Sequence, residues 1–348
     1  MNNRFAALQH TGKAMIAALI CLVFLVSACS GGGSRQNQAG APQGNASPPQ
    51  QEQENGGNEE SGGAFPRTIT DAQGKVTIEK KPEKVAVVHW GYNDAILIFD
   101  VPSVALALPF TYKQSVLHTE TYKLYVDKIK DLEIVGENTE VNLEQLLAYE
   151  PDLIIAGGTL NQEIGEQLSA IATTVFIDET KDDVWTNWPA VIAKIGEILG
   201  QEERAAEYIG QFNEQILTAK EKLSGVNGTV AFVQVREKAV YLQGTNYLGR
   251  YYDELGLTAP EDPVMAEGAE MSLEGLYQLN PDHLFLGYFN YTDESLPALT
   301  DEWEKGSVWG SLNSVKNGHV YPINGELALG YGPIGQSYGI QAIVEALQ

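Results

Sequence analysis

The sequence predicts an α/β fold: two similar α/β lobes with central, mainly parallel sheets, joined by a long rigid α-helix, with a ligand cleft between the lobes. Three observations predict it. Residues 141–158 (VNLEQLLAYEPDLIIAGG) and 271–288 (MSLEGLYQLNPDHLFLGY) repeat at an offset of 130, with Leu143/Leu273, Glu144/Glu274, Leu146/Leu276, Pro151/Pro281, Asp152/Asp282 and Gly157/Gly287 identical. Unbroken apolar runs of strand length, such as Lys84 to His89, have the pattern of parallel strands buried on both faces. Between the two copies, Glu202 to Leu223 carries Ala206, Ile209, Phe212, Ile216 and Leu223 on one stripe. A helix of that length spans about 33 Å, the width of a small domain. Two copies are too few for a solenoid, which leaves a pair of related lobes.

The elements follow in order. The chain opens with Arg4 and Lys13, no acid, an apolar run from Ala14 to Val26, and then Ser27-Ala28-Cys29. A charged start, an apolar middle and small residues at the cut make residues 1–28 a secretory signal peptide. The apolar run is shorter than the ~20 residues a membrane span needs. Val26-Ser27-Ala28-Cys29 resembles the bacterial lipobox, with Val26 where Leu is usual, and the resemblance implies lipidation of Cys29. Residues 29–64 are rich in Gly, Gln, Asn, Ser and Pro and lack aromatics, so a disordered polar tether is expected. The protein is thus expected outside the cytoplasm, held to the bacterial cell membrane by its lipid.

The N-terminal lobe is expected over residues 65–183. It begins with a hairpin around Gly74, then a strand from Lys84, a helix near Asn93 and a strand from Val101 to Leu108. Each repeat copy then supplies a cap residue (Asn142 or Ser272), a short helix, a Pro-Asp break and an apolar strand. Linking helices are expected over 184–224 and the C-terminal lobe over 225–348.

Composition narrows the function. With 22 Lys+Arg against 46 Asp+Glu, the formal charge is −24. Such a surface does not suit nucleic acid, which requires basic groups to displace counterions. Two cysteines, Cys21 and Cys29, exclude a disulfide-stapled scaffold and a Cys-rich metal site. No HExxH, P-loop or CxxC motif is present, and no enzyme is expected. After the signal only His89, His118, His283 and His319 remain, with no tight pair or His-rich loop in sequence, which disfavours a direct metal-ion binder.

Three stretches carry a family resemblance. They are Pro82-Glu83-Lys84-Val85-Ala86-Val87-Val88, the motif from Val135 to Glu144 followed by Pro151-Asp152-Leu153-Ile154-Ile155, and the closing section with Val308-Trp309 and Val315 to Tyr321. Together with the signal, lipobox and tether they resemble the class III substrate-binding lipoproteins, which feed ABC importers for iron–siderophores, cobalamin or haem. The siderophore branch fits best. The resemblance implies a monomer that binds a ferric siderophore and docks on a membrane permease served by a cytoplasmic ATPase. It implies no resident cofactor, since iron arrives within the siderophore. Cobalamin, haem and catecholate siderophores are the alternatives. The family places a Glu on the exposed top of each lobe to pair with permease arginines. These positions fall on Glu144 and Glu274, where the helix macrodipole alone would also favour an acid.

Ligands of open α/β sheets bind beyond the carboxyl ends of the strands. In the first lobe those ends offer Trp90, Tyr92, Tyr112, Tyr122 and Asn138. In the second they offer Arg236, Tyr247, Tyr288, Phe289 and Tyr291, with Glu326, Leu329 and Tyr331 on a late loop. Aromatics suit a bulky ligand. Hydroxamate and ferric-citrate binders of the family often carry Arg where Gly136-Glu137-Asn138-Thr139 stands. Asn138 can hydrogen-bond but cannot neutralise an anion, which favours a neutral or weakly charged chelate of hydroxamate type.

Overall fold

The structure is a computed structural model that describes residues 65–290, 293, 295–330 and 332–348. The signal peptide, Cys29, the tether, Tyr291 and Tyr331 lie outside the described residues. Arg67–Thr70 (β1) and Lys75–Ile78 (β2) form the antiparallel hairpin around Gly74. The first lobe then runs through Lys84–Val87 (β3), Asn93–Leu97 (α1), Ser103–Ala107 (β4), Glu120–Val126 (α2), Asp131–Glu137 (β5), Glu140–Val141 (β6), Leu143–Tyr149 (α3), Leu153–Gly157 (β7), Gly165–Ile171 (α4) and Thr173–Ile177 (β8). Its sheet has the order β6-β5-β4-β3-β7-β8, parallel throughout except for the short β6. Every residue of β4 and β7 is buried, as apolar runs require, and the polar Ser103 of β4 is hydrogen-bonded to Asp131 and Tyr149.

Trp188–Leu199 (α5) and Glu202–Leu223 (α6) link the lobes, broken only at Gly200 and Gln201. The second lobe comprises Val230–Val235 (β9), Val240–Gln243 (β10), Gly268–Glu270 (β11), Leu273–Leu279 (α7), His283–Tyr288 (β12), Thr300–Trp303 (α8), Asn313–Asn317 (α9), Val320–Asn324 (β13), Gly325–Ala328 (α10) and Pro333–Leu347 (α11). Its sheet order is β11-β10-β9-β12-β13. Only β9, β12 and β13 run parallel. Four residues separate β9 from β10, too few for a parallel crossover, so β10 turns back antiparallel.

The repeat is one device built twice. The Asn142 side chain accepts from the N–H groups of Glu144 and Gln145, capping α3, and the Ser272 hydroxyl accepts from Gly275 N–H, capping α7. Both helices span seven residues and end on a left-handed residue, Glu150 or Asn280. The Asp of each Pro-Asp pair then bonds the lobe's first strand. Asp152 Oδ2 accepts from Lys84 N–H at 3.1 Å, and Asp282 Oδ2 from Thr229 N–H at 2.8 Å.

The lobes are also joined through α11. The N-terminal turn of α11 reaches the first lobe, where Ile334 N–H donates to Asp94 Oδ2 at 3.1 Å. Trp188 Nε1–H donates to Gln336 at 3.0 Å, and Gln215 on α6 bonds both the carbonyl and the hydroxyl of Ser337. One contiguous apolar core accordingly includes residues of both lobes, from Val85 and Leu106 to Phe232 and Ile340.

Candidate functional site

In the first lobe the carboxyl ends of β3, β7 and β8 meet at His89. This ring is 1% exposed. Its Nδ1 accepts from Gly91 N–H at 3.1 Å, so the proton of the neutral ring sits on Nε2, which donates to Glu179 Oε1 at 3.1 Å. Burial pulls the imidazole below its ordinary range, and Glu179 partly opposes the shift. The second Glu179 oxygen accepts from the N–H groups of Thr159 and Leu160. Gly157, from the repeat, makes room: a Cβ there would meet His89 Cδ2, and Glu179 Oε2 at 2.9 Å. This buried pin fixes the loop that presents Trp90. The Trp90 ring is half-buried and lies 4.7 Å from that of Trp185.

Two expected contacts are corrected. Tyr92 is fully buried and stacks on His89 at 3.9 Å, within the core rather than at the cleft. Burial pushes its phenol up. Tyr122 is also buried, and its hydroxyl donates to Asp94 Oδ1 at 2.6 Å. Asp94 is an acid with little water, so it needs that donor and the α11 N–H groups. Tyr112 and Phe110 are exposed, and Tyr112 packs edge-on against His118 at 4.5 Å. Asn138 is exposed in a turn where it and Thr139 both have positive φ, and its N–H donates to the Phe110 carbonyl at 3.3 Å.

In the second lobe Arg236 opens the β9–β10 turn, exposed, its guanidinium 4.7 Å from the centroid of Phe289 beyond β12. Tyr288 is half-buried and its hydroxyl is engaged with Thr300 at 3.1 Å. Tyr247 donates to the Leu329 carbonyl at 2.9 Å. Its ring lines a cavity of about 200 Å³ shared with Trp185, Trp188 and Arg250. Trp90 thus packs against Trp185, Trp185 and Tyr247 line one cavity, and Tyr247 bonds the Glu326–Leu329 turn, where Arg236 lies close enough to act on the Glu326 charge.

Trp185 was missed by sequence reasoning because it lies well beyond the carboxyl end of β8, near the start of α5. Its position just ahead of the linking helix was the available signal. Glu179 was missed for a different reason, since its chemistry shows only through the distant His89.

Glu144 and Glu274 are both exposed in the first turns of α3 and α7. The four histidines do not converge, but two of them pair across neighbouring strands. His283 and His319 stack at 4.5 Å because β12 and β13 are parallel neighbours. Their ring nitrogens bond Tyr321, Asn227 and the Asp282 carbonyl, and no cluster of three metal-ligating side chains occurs among the described residues. No helix among them is long and apolar enough to cross a membrane.

The profile of the family described as periplasmic binding proteins matches residues 112–327. The iron-uptake system-binding protein of Bacillus subtilis is 27% identical over 206 residues, 57% of this chain and 64% of that protein. The Fe(3+)-citrate-binding protein YfmC of the same organism is 28% identical over 319 residues, 88% of each chain. Among solved structures, a FhuD-fold periplasmic binding protein component of a Fep/Fec-like ferrichrome ABC transporter from B. subtilis overlays with a TM-score of 0.64 at 24% identity, covering 80% of this chain and 99% of the other.

Proposed function

We propose, from the premise that the chain belongs to the periplasmic binding protein family, that it is the extracytoplasmic substrate-binding component of an ABC importer and captures a ferric siderophore for delivery to a membrane permease. The names of the relatives support iron as the cargo, and the overlaid structure belongs to an ABC transporter. A binding protein must enclose a bulky ligand without transforming it, and half-buried aromatics at the strand ends suit that task.

The observation that carries the ligand class is Arg236 stacked on Phe289 at the end of β9. An exposed guanidinium held on an aromatic face is oriented to meet an iron-bound oxygen with little loss of side-chain freedom. Across the site Asn138 contributes no charge, and Glu137 and Glu179 add acidic groups. A chelate of low net charge fits this balance, so a hydroxamate or mixed hydroxamate–carboxylate siderophore is favoured over a triscatecholate. Glu144 and Glu274, exposed at equivalent places on two lobes, are read as the permease-docking pair, and Cys29 as the lipidated residue.

Tryptophan fluorescence titration tests the reading, with Trp90 and Trp185 beside the site as reporters. Titrants are a ferric trishydroxamate, ferric citrate, a ferric triscatecholate, cobalamin and haem. The trishydroxamate is expected to bind tightest. Tight binding of cobalamin or haem with no ferric chelate bound would overturn it.

A further inference from the structure

The three parallel strands of the second lobe lie side by side in the order β9-β12-β13. Their carboxyl ends lead into Arg236, Phe289 and the α10 turn that carries Glu326, so these residues form a row. Neighbouring strands are about 4.8 Å apart, which sets the β9 and β13 ends about 10 Å apart with Phe289 between them. Arg236 is already placed on Phe289. Glu326 is half-buried, and no described residue donates a hydrogen bond to its carboxyl.

Among the described residues, polar groups on each element packed against α10 surround Glu326. Arg236, from the β9 end, is the charge among the described residues that acts on the carboxyl. Tyr247 donates to the Leu329 carbonyl and Tyr251 to that of Ala328. Tyr288 at the end of β12 is engaged with Thr300, and Tyr338 on α11 accepts from Asn324 N–H. On β13, Tyr321 bonds His283. Burial pushes the Glu326 carboxyl up to about 7, while Arg236 pulls it down. An acid partly withdrawn from water, with no donor among the described residues, is matched to a donor that arrives from outside.

We propose that Glu326 is a second ligand-contacting residue, and that the chelate it selects carries a pendant hydrogen-bond donor, an ammonium in the tightest case, on the side away from the iron-bound oxygens that Arg236 meets. This rests on the ferric-chelate reading above. Arg236 and Glu326 together then read polarity across the ligand, and Phe289 supplies the apolar contact between them. Above the carboxyl's titration Glu326 is charged and pairs with the ammonium. As pH falls through about 7 and below, it is progressively neutralised and the preference shrinks.

The experiment titrates the protein, by tryptophan fluorescence, with ferrioxamine B, a ferric trishydroxamate bearing one pendant ammonium, and with its N-acetylated form. At about pH 8 the wild type is expected to bind the ammonium form about tenfold tighter, a preference that shrinks toward none at about pH 5. Glu326→Gln is expected to bind both forms alike at either pH. Tight binding of both forms without preference by the wild type, or a preference that survives in Glu326→Gln, overturns the role of Glu326 and leaves the ferric-hydroxamate reading standing. Binding of neither form by the wild type overturns the hydroxamate reading and this inference with it.

Discussion

Asp94 shows how one side chain ties the two lobes. It sits on α1 of the first lobe, accepts from Tyr122 on α2, and accepts from Ile334 at the start of α11. Burial raises its carboxyl to about 6, against about 3.9 in an unfolded chain. The folded protein therefore holds this proton more tightly than the unfolded chain does. Stability from this group is greatest at low pH, falls as pH rises from about 4 to about 6, and is flat above, a difference of about 3 kcal/mol. Urea unfolding of wild type and Asp94→Asn across that range checks it, since the other carboxylates are common to both. The wild type is expected to gain stability relative to the variant as pH falls from 7 to 4, and parallel profiles would contradict the assignment. None of this was legible in sequence. Asp94 is one acid among 46, and its partners lie 28 and 240 positions away. Tyr92 and Tyr122 were misplaced for a related reason: following a strand end, or lying near one, does not tell an aromatic's inward face from its outward one.

At the level of elements, the two strand-ending glycines of the repeat have different consequences. A Cβ at Gly157 would press on the His89–Glu179 pin, whereas one at Gly287 would meet Leu329, and Gly325 Cα at 3.1 Å, in the turn that carries Glu326. Gly157→Ala is expected to lower stability by about 1–3 kcal/mol through overpacking. Gly287→Ala is expected to weaken chelate binding about tenfold by displacing that turn, as a calorimetric titration would show. Unchanged affinity in Gly287→Ala would separate the turn from the site. The repeat also predicts the transport phenotype. Glu144→Ala with Glu274→Ala is expected to leave chelate affinity within about twofold, because exposed charges away from the ligand contribute little. Iron uptake by whole cells should fall most in the double variant, and normal uptake would remove the docking role. These elements were legible because their signals are local. Asn142 and Ser272 cap, Pro-Asp breaks, and an apolar run follows, all within 18 residues. The antiparallel β10 and the His283–His319 stack were not, because each depends on which strands become neighbours.

On the scale of the whole molecule, α6 and the contacts of α11 determine how far the lobes can move. An unbroken helix cannot absorb the φ/ψ changes that hinge loops do, and the bonds at Asp94, Trp188 and Gln215 span the same boundary. Ligand binding is therefore expected to shift the lobes by only a few degrees. Small-angle scattering of protein lacking residues 1–64 should barely change on adding ferric chelate, and a large compaction would show a flexible hinge instead. The central claim is that a ferric chelate is held by Arg236 over Phe289. Calorimetric titration of wild type and Arg236→Ala with a ferric trishydroxamate tests it most directly. A charge-assisted hydrogen bond worth about 1.5–3 kcal/mol predicts a loss of about ten- to a hundredfold in the variant, with Arg236→Lys recovering only part of it. An Arg236→Ala protein that binds the chelate as tightly as wild type would contradict the account.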